Sequence, residues 1–229
     1  MNRSTILAAI GGLAAVAGIA CSDIISPSRN LLRYDWRLPI NYDSAGPRAD
    51  SLTFHWPRTS LPVKIWVEDQ YDVPLRIRQA IALWKTAFIY GEWDARLVSD
   101  SNTADVIVRT ILPPPLVFPT PVRMGAFFAP ACQGATDLDT VATRFQLRVP
   151  LHAYVHPDIA YSPTDTVVNR CLRTVAAHEL GHTLGLFRHS PDSLDLMYSV
   201  PTATFLSDRD IGTAVNVYHL KSDMVPVRP

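Results

Sequence analysis

Three histidines and a glutamate fall within twelve residues of one another: His178, Glu179, His182 and His189, with Gly185 between the last two histidines. On a helix, four residues advance the chain by about 6 Å and turn it by about 40°, so His178 and His182 project side by side and can share one cation. Glu179 lies about 60° from His182 and about 100° from His178, close enough for its carboxylate to meet a water at that cation without ligating it. Gly185 permits the left-handed turn that ends a helix, so the chain can double back and bring His189 in as a third ligand. Three imidazoles on Zn2+ leave the fourth position open, which is the geometry of a catalytic rather than a structural site. With seven His and three Glu in 229 residues, chance places all five residues this way in roughly a few chains per million. Coincidence is therefore a poor account. Glu179 also shares its residue type only with Glu68 and Glu92, since 21 acids less three glutamates leaves 18 aspartates.

These residues need a helix, a turn and a sheet to hold them. Asp165 is a good N-cap for a helix from about Val167 to Leu184 that carries the first two histidines. Upstream, Pro62–Val67 alternates as a half-buried strand, and Pro74 opens a helix over Leu75–Phe88 with apolar residues at helical spacing. Ala95–Val98 and Ala104–Ile111 read as strands. Five prolines between Leu112 and Val122 block ladder hydrogen bonds and predict a stiff loop. Met124–Pro130 and Phe145–Val155 read as two more strands around a polar turn at Gln133–Asp139. Ser207-Asp208-Arg209-Asp210 is a capping-box-like start for a last helix bearing Ile211, Ala214, Val215 and Tyr218 on one face. Strands and helices in this order predict an α+β fold with a mixed sheet.

Composition narrows the partners. Hydrophobic residues make up 48% and charged residues 18%, the profile of a chain that folds rather than one that stays disordered. Lys plus Arg and Asp plus Glu are 21 each, so no long-range field steers nucleic acid or anionic lipid toward it, and nucleic acid is not an expected partner. Residues 1–20 place Arg3 before an apolar run ending in small residues, the layout of a signal peptide. Gly18-Ile19-Ala20-Cys21 resembles a bacterial lipoprotein processing site, although Gly18 stands where such sites usually carry Leu. Acylation of Cys21, and so a membrane anchor outside the cytoplasm, is the expectation; cleavage after Ala20 with secretion, or an uncleaved anchor, are the alternatives. With Cys21 acylated, Cys132 and Cys171 remain as a pair bound for an oxidising space. A disulfide between them is worth roughly 4 kcal/mol on loop-entropy arithmetic; the alternative is two buried thiols that never meet. Residues 21–55 read as a tether and N-terminal arm that packs on the core, 56–220 as the catalytic domain and 221–229 as a tail.

His178-Glu179, His182, Gly185 and His189-Ser190, followed by Leu196-Met197-Tyr198, resemble the zinc signature and Met-turn of the metzincin metallopeptidases, in the matrixin branch. Leu206-Ser207, Asp210-Ile211 and Tyr218 resemble the matrixin C-terminal helix, Gly125–Pro130 its substrate-side edge strand, and Leu61–Val67 its first strand. The resemblance covers roughly Trp56 to Leu220. It implies a metzincin-like catalytic domain with a mixed twisted sheet, an active-site helix, a Met-turn and a C-terminal helix. It further implies that His178, His182 and His189 ligate zinc, that Glu179 is the general base, and that Met197 forms an apolar floor under the metal. The implied activity is hydrolysis of peptide bonds in protein or peptide substrates that lie extended along the edge strand. Two readings from other classes stay open: a surface-anchored zinc-containing binding module without turnover, and a metal-dependent hydrolase of a non-peptide substrate. The chain departs from matrixins in lacking their cysteine propeptide switch and second-zinc pattern. His152 and His156 flank a strand end and read as surface histidines before a metal pair; Asp137 and Asp139 read as a solvated turn before a Ca2+ site. Ser199 and Val200 precede Pro201 where matrixins place Pro sooner, so cleavage preference does not transfer, and nothing in the sequence speaks to oligomeric state.

Overall fold

The computed structural model describes residues 32–42, 48–112, 122–129, 131–141 and 145–228. Strands β1 (Leu38–Tyr42) and β2 (Arg48–Leu52) pair antiparallel as a sheet of two. Next come β3 (Val63–Val67), helix α1 (Val73–Lys85) and β4 (Ala95–Val98); β3 and β4 are parallel, and α1 makes the crossover that parallel neighbours require. β5 (Val106–Arg109), β6 (Val122–Ala129), β7 (Cys132–Leu138), β8 (Thr140–Val141), β9 (Gln146–Arg148) and β10 (Leu151–Pro157) follow in turn. The chain then forms α2 (Thr166–Thr183), α3 (Asp208–His219) and β11 (Val225–Val227). The main sheet has the order β4-β3-β5-β10-β7-β6, with β4 through β10 parallel and β7 and β6 antiparallel to their neighbours. This is an α+β architecture with three helices among the described residues and a mixed twisted sheet, consistent with a matrixin-like catalytic domain. A smaller sheet, β11-β9-β8, completes it.

Local chemistry explains the helices. In α1, Val73, Ile77, Ala80, Ile81 and Trp84 recur at helical spacing and are all buried, forming the stripe that meets α2. Trp84 sends its indole N–H to the Ala177 carbonyl at 2.8 Å, which joins the two helices through an otherwise orphaned donor. α2 starts where Asp165 accepts from Val167 N and Val168 N, a cap worth about 1 kcal/mol. It lies across β7 and β10, and every residue from Thr174 to Thr183 is buried. α3 starts with a complete capping box between Ser207 and Asp210. No helix among the described residues is long and apolar enough to cross a membrane.

Three elements differ from expectation. Gln133–Asp139 is not a turn: Cys132–Leu138 is the strand β7, buried at six of seven positions and bonded to both β10 and β6. Its small and polar side chains hide its strand character because each is satisfied by a partner distant in sequence. Phe145–Val155 is not one strand; at Val149-Pro150 the chain leaves the small sheet and enters the main one, since Pro150 has no N–H to continue a ladder. The segment before Trp56, expected without regular elements, holds two paired strands; Tyr34, Trp36, Leu38, Leu52 and Phe54 from it lie in the core. Residues 1–31, where a signal peptide and an acylated Cys21 are expected, and the proline-rich stretch at 113–121 lie outside the described residues.

Candidate metal centre

α2 continues without a break through His178, Glu179 and His182. As the four-residue spacing demands, the two imidazoles meet, with Nε2 of His178 and Nε2 of His182 3.1 Å apart. Their other ring nitrogens are tied to backbone: His178 Nδ1 donates to the Leu196 carbonyl at 2.8 Å and His182 Nδ1 to the Leu186 carbonyl at 2.6 Å. A donating Nδ1–H leaves Nε2 as the lone-pair atom, so both rings are set in the tautomer that binds a metal through Nε2.

The third histidine arrives through a turn that only glycine allows. Gly185 has φ +110°, and a Cβ there would collide with the Phe54 carbonyl. Leu186 N and Gly185 N bond back to Gly181 O and His182 O, closing the helix end. Leu186, Phe187 and Arg188 then lie between Gly185 and His189, one residue more than the metzincin signature carries at that point. The N-terminal arm takes up the longer return: Phe187 N donates to Trp36 O at 2.8 Å, Arg188 Nε donates to Arg37 O at 3.1 Å, and Arg188 pairs with Asp35 at 3.3 Å. His189 therefore still reaches the site, its ring centroid 5.1 Å from that of His178 and 5.2 Å from that of His182.

One potential ligand atom from each ring lies within 4.8 Å of the other two, and this is the only such group of three among the described residues. Nε2 of His189 is buried without a hydrogen-bond partner. Tetrahedral coordination at 2.0–2.1 Å places ligand nitrogens about 3.3 Å apart, so the 3.1 Å between the first two rings fits a zinc ion. Burial pushes all three imidazoles toward the neutral, ligating form, that of His178 down to about 3 and that of His182 well below its ordinary value.

A connected framework supports the metal face. Met197 is fully buried, and its sulfur occupies the space where a Cβ on Gly181 would lie. Its backbone is held from two sides, with Ser190 N donating to Met197 O at 2.7 Å and the Asp210 carboxylate accepting from Leu196 N at 2.8 Å and Met197 N at 3.2 Å. Asp210 thus caps α3 and also fixes the Leu196 carbonyl that orients His178. The capping box was visible in the sequence, but this second task was not. Backbone acceptors such as Leu186 O and Leu196 O carry no sequence signal at all.

Glu179 is completely buried, and burial pushes its carboxyl well above the usual range while a bond from Thr136 works the other way. Thr136 Oγ1 donates to Oε2 at 2.7 Å, whereas Oε1 accepts no hydrogen bond from the protein. Cys132 and Cys171 are joined by a disulfide between β7 and α2, with a Cα–Cα distance of 6.0 Å. Asp137 receives a bidentate pair from Arg123 at 2.7 and 2.9 Å, and Asp139 pairs with Arg148 at 3.2 Å, so each carboxylate weighed for Ca2+ faces a guanidinium. His152 and His156 lie on β10, where His156 Nδ1 donates to Thr110 O at 2.6 Å. Neither joins the three-histidine cluster.

No curated protein matches the chain. Residues 126–219 match the family model of the matrixins, a group of metallopeptidases, and this stretch runs from within the edge strand β6 through the three histidines to the end of α3. The geometry and the match agree, and together they support a matrixin-like domain around the three histidines.

Proposed function

We propose that the protein is a zinc-dependent endopeptidase. The observation that carries this reading is the convergence of three neutral imidazoles, two with their Nδ1 atoms locked by backbone carbonyls, beside the buried carboxyl of Glu179. His178, His182 and His189 would hold the zinc. When bound, zinc supplies Lewis acidity toward a carbonyl oxygen and toward water. Glu179 accepts a proton from the attacking water at a carboxylate oxygen and later delivers it to the nitrogen of the leaving amine. Met197 and the framework behind it keep the imidazoles in place and exclude water from beneath them. Strand β6 ends the sheet, so its outer edge can receive an extended peptide by main-chain hydrogen bonds, which favours peptides and loop segments over small molecules.

Two further parts of the proposal concern location. Activity outside the cytoplasm is supported by the Cys132–Cys171 disulfide, a bond that persists in oxidising spaces. Anchoring through an acylated Cys21 is supported by the processing-site resemblance; incorporation of a labelled fatty acid that survives Cys21→Ala would refute it.

The decisive experiment pairs metal analysis with cleavage of a mixed peptide library. Wild type should bind about one zinc and cleave, with activity lost to a chelator, while His182→Ala should lose most of the metal. Glu179→Gln should keep its zinc and lose roughly 10²- to 10⁴-fold in rate. A zinc-loaded Glu179→Gln protein within a few-fold of wild type would remove Glu179 as the base. Zinc-bound wild type that cleaves nothing would favour a binding module.

A further inference from the structure

β7 and α2 run in matched register. Two strand residues span about 6.7 Å and four helix residues about 6 Å, so alternate positions of the strand can face every fourth position of the helix. Cys132 is bonded to Cys171. Gly134 faces Val175 and Glu179. Thr136 bonds to Glu179. The disulfide closes one end of this seam, and the carboxyl of Glu179 sits at the other.

Gly134 and Thr136 act on that carboxyl from neighbouring points. A Cβ on Gly134 would lie 2.5 Å from Glu179 Oε1 and 2.9 Å from its Cγ, and would also strike Val175, so only glycine leaves room for the side chain there. Thr136, fully buried, donates from Oγ1 to Oε2 at 2.7 Å. Its hydroxyl also lies 3.3 Å from the Glu179 carbonyl, so one residue contacts both ends of the glutamate. The two oxygens are thereby made unequal: Oε2 is held, and Oε1 is buried with no protein donor.

We propose that Gly134 and Thr136 form a cradle in which Thr136 is a positioning residue, fixing Oε2 of Glu179 so that Oε1 is the oxygen that takes and returns the proton. The proposal rests on the reading of Glu179 as the base. It also explains why a buried strand carries glycine and threonine where bulky apolar residues would pack more tightly: the carboxyl needs space and one donor.

The test compares Thr136→Val, Thr136→Ala and Thr136→Ser with wild type and Glu179→Gln in the zinc-loaded protein, with zinc stoichiometry and thermal midpoint recorded for each. Loss of the hydroxyl should lower kcat by roughly 10- to 100-fold with KM changed less than threefold, because a misdirected base slows chemistry without weakening substrate contacts. Ser should restore kcat to within about threefold, which a purely structural role for the threonine methyl would not allow. In the metal-free protein, Thr136→Ala should lower Tm by roughly 3 °C more when Glu179 is present than in a Glu179→Ala background. Hydroxyl-free variants that match wild type in kcat while Glu179→Gln is inactive would overturn the cradle and leave the base in place. Equal rates for Ala and Ser, or equal Tm shifts in the two backgrounds, would overturn it as well. Glu179→Gln as fast as wild type would overturn both readings together.

Discussion

Gly181 sits between Glu179 and His182 on α2, and replacing it with alanine sets two effects of known sign against each other. In a helix interior, Ala is favoured over Gly by about 1 kcal/mol. Against this, a Cβ at Gly181 would lie 2.8 Å from Trp84 Cζ2 and 3.1 Å from Met197 Cε, and nearer still to the Met197 sulfur. Trp84 cannot yield easily, being wholly buried with its indole N–H bound to Ala177 O. Met197 has a flexible side chain, but its backbone is held by Ser190 and Asp210. Overpacking of this kind costs about 1–3 kcal/mol, and the fixed Trp84 ring keeps it in the upper part of that range even though the Met197 side chain can give way. The net expectation is a loss of about 1–2 kcal/mol, or a Tm lower by roughly 2–8 °C for a domain of this size. Thermal unfolding by circular dichroism, with and without zinc, measures it. Zinc affinity should fall too, because displacement of Met197 moves the Leu196 carbonyl that orients His178. In a Met197→Ala background, which removes the obstructing sulfur, the same substitution should cost less. A Gly181→Ala protein that melts at or above wild type would refute the reasoning.

Acid should destabilise the metal-free protein through its histidines. His178 has a folded value of about 3 against an ordinary 6.5, so its contribution is complete above pH 6.5 and lost as pH falls toward 3, while Glu179 and Asp210, both raised, act in the opposite sense. His178→Asn keeps a donor for Leu196 O without titrating, and its Tm should fall less than that of wild type between pH 7 and pH 5; an identical fall would count against this assignment. Removing the Cys132–Cys171 bridge by double substitution to Ala should lower Tm by roughly 10 °C, from a loop-entropy value of about 3–4 kcal/mol, and mass spectrometry of the unreduced digest should show the two peptides linked. Freely alkylating thiols in protein made in an oxidising compartment would contradict it.

The chemistry was legible in the sequence because a helix converts spacing directly into direction. His178, Glu179 and His182 need only 3.6 residues per turn to be placed, and the caps at Asp165 and Ser207 are local interactions whose partners lie within three residues. The return of His189 was legible as far as Gly185, whose positive φ is a property of glycine itself. How a loop one residue longer than the metzincin signature still delivers His189 was not legible, because Trp36 and Arg37, more than 150 positions away, hold it.

β7 marks the boundary between the two kinds of information. Read along the chain, Cys132-Gln133-Gly134-Ala135-Thr136-Asp137-Leu138 is poor in Val and Ile and suggests a turn; the alternation of Cys132, Gly134, Thr136 and Leu138 was the one available hint of a strand. In the fold it is the second strand from the edge, and its unusual residues answer to Cys171 and Glu179 on α2 and to Arg123 on β6, all outside the strand itself. The sequence alone determined which atoms could bind a metal and on which face of a helix they lie, since those are consequences of local geometry. Only the tertiary structure decided which strand that helix rests on, which oxygen of Glu179 is held, and what braces the third histidine, since those depend on contacts between segments whose separation along the chain carries no directional information.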